Sequence, residues 1–207
     1  MNGERMTSCT DEQLMTSLVE QGDLNAFEEL LNRYEKPLFN YILKYISDFQ
    51  MAQDLFQETF YLIFKNRKSF NSDLRFSTWA YRIATNVCID ELRKKRRELE
   101  VPLEENKLAH ESSLQFTDRG VNPNPFDSSL EERLIKKDLE EKIKDLVNSL
   151  PEKLKAVFIL SEYQELPCRE IAKILEIPVG TVKSRLHHGF KRLVELIEKK
   201  GLIDELQ

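Results

Sequence analysis

EIAKILEIPVGTVKSRL, Glu170 to Leu186, is the stretch whose spacing decides the fold. Glu170 to Leu175 reads as a short amphipathic helix, Glu176 to Val179 as a tight connection holding Pro178, and Gly180 to about Ile197 as a longer helix. Two helices across so short a turn make a helix-turn-helix. Ala172 is small enough to let the helices approach, and Ile171, Leu175, Val182 and Leu186 can fill the space between them. Lys183, Ser184, Arg185, His187, His188 and Lys191 are left on or near the exposed side. A cationic face at the start of the second helix suits the major groove, because phosphates attract the charge and polar tips reach base edges. An amphipathic hairpin with a solvated charged face has the same pattern, so the motif alone leaves both readings open. His187 and His188 are neighbours and point about 100° apart on a helix, too divergent to share an ion, so no metal is expected.

Upstream, helical spacing runs through Leu134, Leu139, Ile143, Leu146 and Leu150, and Pro151 opens a further helix where a missing N–H costs little. Before that the periodicity fails. Residues 98–132 hold Pro102, Gly120, Pro123 and Pro125 among acidic and polar residues, too long a stretch for an ordinary loop inside one compact domain. The expected fold is therefore all-α: two small helical domains, residues 10–97 and 133–200, joined by a flexible acidic linker at 98–132.

The N-terminal half repeats the helical pattern. Thr10 and Gln13 have the spacing of a capping box, Gly22 stops that first helix and Asp23 caps the next. The second helix carries Phe27, Leu30, Leu31, Tyr34, Leu38, Ile42 and Tyr45 as a core stripe, with Pro37 marking a kink or break. Met51 to about Lys65 has Leu55, Phe56, Leu62 and Ile63 inward. A loop containing Asn71, Ser72 and Asp73 follows, and Ser77 or Thr78 caps a helix reaching about Arg97.

Net charge is −5, which argues at first sight against nucleic acid. The average conceals segregation. From Arg75 to Arg97 there are seven bases against Asp90 and Glu91, whereas Glu98 to Glu132 has nine acids against Lys107 and Arg119. No apolar run approaches the roughly 18 residues that span a membrane, and Met1 to Asp11 is too polar for a signal peptide, so a cytoplasmic location without membrane insertion is expected. Cys9, Cys88 and Cys168 have neither disulfide nor zinc-ligand spacing and read as reduced, mostly core thiols. No cofactor is expected.

Asp54, Glu58 and Tyr61 share one helix face opposite the apolar stripe, with Gln57 beside them. Paired carboxylates there suit acid–base chemistry, a divalent cation, a solvated face or a basic partner. No third ligand or nucleophile lies nearby, which favours docking over catalysis. Phe70 to Arg97 interleaves Phe70, Phe76, Trp79 and Tyr81 with Arg75, Arg82 and the Arg93 to Arg97 cluster. Rings and cations together suit single-stranded DNA, since unstacked bases lie on the rings while the backbone follows the charge. Trp79, Ile83 and Val87 at spacings of four also read partly as core.

Three stretches together, DLFQETF (54–60), FSTWAYRIATNVCIDELRKKRR (76–97) and EIAKILEIPVGTVKSRL (170–186), closely resemble the sigma-70 family of bacterial RNA polymerase sigma factors, in its compact extracytoplasmic-function (ECF) group. The resemblance covers about Thr10 to Lys200. It implies that Asp54, Gln57 and Glu58 contact the clamp helices of the polymerase largest subunit. It implies that Asn71, Ser72, Asp73, Phe76, Ser77, Thr78, Trp79, Arg82 and Asn86 shape the surface that captures a base flipped from the minus-ten element. Arg93, Lys94, Arg96 and Arg97 would hold duplex phosphates upstream. Thr181, Lys183, Ser184, Arg185, His187, His188 and Lys191 would read the minus-35 element, apolar surface of the C-terminal domain would bind the polymerase flap, and the linker would thread the RNA exit path. An anti-sigma factor is an implied partner. The chain departs from the pattern at Ser161, His188 and Phe190, where relatives often carry bases, at Glu176, often glycine, and at Pro167, usually a hydroxyl cap. The competing functions are a helix-turn-helix regulator acting on duplex DNA without polymerase and, last, a hydrolytic or metal-dependent enzyme built on Asp54 and Glu58.

Overall fold

The computed structural model describes residues 8–100, 138 and 141–200, and every described element is helical. In order these are α1 (Asp11–Gln21), α2 (Leu24–Ile46), α3 (Phe49–Lys65), a 3-10 turn (Arg67–Ser69), α4 (Phe76–Glu100), α5 (141–148), α6 (Glu152–Glu162), α7 (Cys168–Leu175) and α8 (Val179–Lys200). Most of the segment read as the linker, with Leu134 and Leu139 beyond it, lies outside the described residues; α4 itself runs to Glu100, past the expected boundary at Arg97.

The expected capping chemistry holds α1 and α2. The Thr10 hydroxyl accepts from the Gln13 amide at 3.2 Å while the Gln13 side chain accepts from the Thr10 amide at 2.9 Å. Gly22, at φ +68°, closes α1 in the left-handed region that glycine adopts without strain, and Asp23 accepts from the Asn25 amide to open α2. Pro37 neither breaks nor ends α2, which continues to Ile46. The proline is exposed, so the Arg33 carbonyl it deprives of a donor lies on the solvent side, where water can satisfy it. Leu38, Tyr41, Ile42 and Tyr45 anchor the turns after the proline in the core.

The start of α4 differs from expectation. Neither Ser77 nor Thr78 is its cap: the helix opens at Phe76, with the Trp79 amide bonded to the Arg75 carbonyl. The free Phe76 amide donates instead to the Glu12 carboxylate at 3.0 Å, so α1 supplies in trans the acceptor a hydroxyl would have given.

Met15 and Leu18 of α1, Leu30 and Ile42 of α2, Ile63 of α3 and Phe76, Ala80 and Cys88 of α4 form the N-terminal core. Leu146, Val157, Leu160, Ile171, Val182 and Leu193 continue it through the C-terminal unit as one cluster; Ile143, expected inside, is 38% exposed. The two units meet along α2 and α4 on one side and α6 and α7 on the other. Ser47 donates to Asn148 at 2.9 Å, Tyr81 to Gln164 at 2.6 Å, and the Lys44 ammonium lies 5.0 Å from the Tyr163 ring centre. Lys155 is buried at this seam, its ammonium donating to Asn148 at 2.8 Å and lying 5.4 Å from the Tyr45 ring centre.

Candidate nucleic-acid interface

Three surfaces carry the residues singled out from sequence, and helical periodicity positions each. On α3, Leu55 and Ile63 face the core, which turns Asp54, Gln57 and Glu58 outward, all exposed, with Tyr61 60% exposed beside them. No ion pair among the described residues engages Asp54 or Glu58. Glu58 also borders an open cavity of about 520 Å³ between α3 and α4, which Asn66, Asn86, Asp90, Lys94 and Arg97 line. No group of three metal-ligating side chains occurs among the described residues.

The second surface is the loop before α4 and the outer face of that helix. Asn71, Ser72 and Asp73 are exposed, and the Asn71 side chain accepts from the Asp73 amide at 2.9 Å, a turn that the aspartate–asparagine composition encodes. Phe76, Thr78 and Trp79, expected at this surface, are instead buried at 0, 3 and 8% exposure. The reason is aromatic packing: Phe70 lies 5.3 Å from Trp79 and Tyr34 lies 4.9 Å from Phe76, centre to centre, so the rings support the loop from beneath rather than offering free faces. Ser77 is half-buried and Asn86 exposed. Tyr81 joins the buried set, and burial pushes its hydroxyl up to about 12.

Arg82 is engaged by the C-terminal unit. It donates to the Lys173 carbonyl at 2.6 Å and pairs with Glu176 at 2.9 Å, while Arg75 pairs with Glu170 at 2.9 Å. Further along α4, Arg93 approaches Glu152 at 3.7 Å, and Lys94, Arg96 and Arg97 are exposed. Sequence reading had missed Glu170, Glu176, Gln164 and Asn148 as partners of this face, and had passed over Lys155. Lys155 left a faint signal: it opens the apolar run Ala156 to Leu160, a place where a lysine has no solvated side to turn to. Burial pushes its ammonium down to about 8.

The third surface is the helix-turn-helix. Glu176 ends α7 at φ +52°, left-handed, which explains why a glycine is the easier residue there, and the Ile177 amide returns to the Ala172 carbonyl at 3.1 Å. Pro167 stands at the N-terminus of α7 and gives it no side-chain cap. Val182 and Ile171 are fully buried between the helices as expected, leaving Lys183, Ser184, His187, His188 and Lys191 exposed and Thr181 half-buried. Arg185 is different. It turns toward α4, where with Arg82, Asn86, Arg93 and Glu176 it lines a cavity of about 120 Å³ at the seam.

Comparison with known proteins meets this geometry. Residues 30–98 match the family model of sigma-70 region 2 and residues 140–193 that of sigma-70 region 4, so both helical units are accounted for. The chain is 34% identical over 179 residues to the ECF RNA polymerase sigma factor SigW of Bacillus subtilis, covering 84% of this chain and 90% of that one. It is 33% identical to the ECF RNA polymerase sigma-E factor of Haemophilus influenzae, over 91% of this chain and 94% of that one. Among solved structures, the fold is shared with CnrH in complex with the cytosolic domain of CnrY, at a TM-score of 0.64 and 18% identity over 91% of this chain and 97% of that one. It is shared too with the sigma factor RpoE of Bartonella quintana in complex with the anti-sigma factor NepR, at 0.59 and 22% identity over 83% and 96%. The chain belongs to the sigma-70 family of RNA polymerase sigma factors, in its ECF group.

Proposed function

We propose that this sigma factor divides its work among the three surfaces as follows. Asp54, Gln57 and Glu58 dock on the clamp helices of the core polymerase. Asn71, Ser72, Asp73 and Ser77, with Arg82 and Asn86, receive a base extruded from the minus-ten element; Phe76, Thr78 and Trp79 hold that surface in shape from below. Arg93, Lys94, Arg96 and Arg97 grip duplex phosphate upstream. Thr181, Lys183, Ser184, Arg185, His187, His188 and Lys191 read the minus-35 element, and apolar surface of the C-terminal unit binds the polymerase flap. Unstacking costs a few kcal/mol per step, which hydrogen bonds and charge on the displaced strand recover. No side chain is assigned a covalent or catalytic step, and no cofactor is required.

The observation that carries this reading is the exposed Asn71–Asp73 loop running directly into the cationic face of α4, on the same chain as a helix-turn-helix. A duplex-only regulator needs the second and has no use for the first. The site of action is the cytoplasm, and the partner that holds the protein inactive is an anti-sigma factor, as the complex of RpoE with NepR suggests by analogy.

Mixing the purified chain with core polymerase and a promoter library tests the reading. Promoter-specific transcripts are expected; failure to bind core, or binding without specific initiation, overturns it. Reversing charge with Asp54→Lys and Glu58→Lys should abolish core binding while circular dichroism stays unchanged, because both side chains are exposed and in no ion pair among the described residues. Unaltered core affinity would remove the docking assignment.

A further inference from the structure

We propose that in the free chain α7, the first helix of the helix-turn-helix, occupies the DNA-reading face of α4 as an internal substitute for the phosphate backbone, so that the chain must open before that face can receive DNA. The clasp rests on the assignment of α4 to promoter DNA made above.

The geometry is one of matched spacing. Arg75, the residue just before α4, and Arg82 are seven residues apart, about two helical turns or 10 Å, and so lie on one side of the helix. The eight residues of α7 span about 12 Å, close to that separation. Running parallel to α4, α7 meets one arginine at each end: Glu170 in its first turn pairs with Arg75 at 2.9 Å, and Arg82 takes both Glu176 at 2.9 Å and the Lys173 carbonyl at 2.6 Å. The Lys173 carbonyl belongs to the last turn, whose acceptors lack intrahelical donors and where a cation meets the negative end of the helix. Two carboxylates and a helix C-terminus thus present to Arg75 and Arg82 the negative charge that a nucleic-acid backbone would otherwise bring.

Two features say that the clasp is made to release. The buried Nε of Arg82 has no acceptor in the closed arrangement, although the other guanidinium nitrogens do, so the arginine is incompletely served by α7. Arg75 is largely exposed, which makes its pair with Glu170 sensitive to salt. Closure also turns the half-buried Arg185 toward the seam, where with Asn86 it lines a narrow cavity, while Asn86 stays open on its other side.

The experiment uses the full chain. Small-angle scattering in low salt should give a compact particle, and the Glu170→Gln/Glu176→Gln pair should expand it; exchanging the charges, with Arg75→Glu, Arg82→Glu, Glu170→Arg and Glu176→Arg together, should restore compactness. An extended wild type, or a neutral pair as compact as wild type, overturns the clasp. Fluorescence anisotropy with single-stranded oligothymidine measures the occlusion. The neutral pair should bind several-fold more tightly, on the order of tenfold, than a charge-matched Glu195→Gln/Glu198→Gln control; equal affinities overturn it. Promoter-specific transcription by the wild-type chain with core polymerase tests the underlying reading separately. Its failure would sink that reading whatever the scattering shows, whereas normal transcription beside unresponsive scattering sinks the clasp alone.

Discussion

The cationic faces of α4 and α8 look alike in sequence and differ in what their charges already touch. Arg75 and Arg82 are committed to carboxylates of the other unit, and the rings beneath them are core. Lys183, His187, His188 and Lys191 face outward with their side chains exposed. Similar charges are therefore differently placed: a substitution of Arg75 or Arg82 acts on the seam as well as on any DNA contact, whereas one on the outer face of α8 leaves the packing untouched.

The largest expected effect tests the packed side of that contrast. Trp79→Ala removes a buried ring stacked against Phe70 and Phe76 and should destabilise the chain by about 3–5 kcal/mol, with melting followed in denaturant. Phe190→Ala, at 45% exposure on α8, should cost no more than about 1 kcal/mol. Equal losses would mean that the α4 aromatics are as dispensable to the fold as a surface ring, and that their place is at the DNA.

Lys155 comes next. Its ammonium faces Cys88 of α4 and Tyr45 of α2, with Arg93 and Glu152 close to that tyrosine; Asn148 is its hydrogen-bond acceptor and no carboxylate among the described residues pairs with it. Burial lowers its pKa from 10.5 to about 8, so the protonated form is disfavoured in the folded chain and the penalty is fully present below pH 8. Stability should therefore rise as pH climbs through 8. The rise should end near pH 9, because burial has pushed the Cys88 thiol and the Tyr45 hydroxyl upward and their suppressed ionisation then works against the fold. Lys155→Met should stabilise the chain by about 1–3 kcal/mol at pH 7, the lost amide contact offsetting part of the gain, and should abolish the rise between pH 7 and 9. A variant less stable than wild type would show that the lysine is a strut of the seam rather than a cost to it.

For the exposed side the expected change lies in salt dependence. Lys183→Ala should lower the slope of log affinity for promoter duplex against log salt by about one, with the melting temperature unchanged. Arg82→Ala should change the slope less and should also open the seam, because its charge is already half spent on Glu176 and Lys173. If both arginine and lysine variants change the slope alike and neither alters compactness, the contrast between the faces disappears.

Sequence made the elements plain and their mutual placement obscure, for a physical reason. Capping boxes, the Gly22 stop and the spacing within Glu170–Leu186 are local, so Thr10, Asp23 and Val182 stand where periodicity put them. Whether a ring or a base in an amphipathic helix faces core or solvent depends on what covers that helix, and nothing local says so. Trp79 was readable as partly core from its spacing to Ile83 and Val87, but Phe76 was not, since it is covered by Tyr34, Phe70 and the Glu12 carboxylate of α1. Glu170 and Glu176 lie almost a hundred residues from Arg75 and Arg82, and only the folded chain brings them into one ladder.

The smallest effect separates strain from charge at one residue. Glu176 closes α7 at φ +52°, where an L side chain costs roughly 1 kcal/mol relative to glycine. The same residue gives Arg82 a carboxylate at 2.9 Å, and because that carboxylate is 69% exposed the pair contributes only about 0.2–1 kcal/mol. Glu176→Gly removes both, and the two terms nearly cancel, so the melting temperature should move by no more than a degree or two while the chain becomes more easily opened by salt. A loss above about 2 kcal/mol would mean that the pair is worth far more than an exposed one and that the seam is a permanent part of the fold. A gain of about 1 kcal/mol with unchanged compactness would mean the reverse: that Glu176 serves only to end a helix, and that Arg82 is held by the Lys173 carbonyl alone.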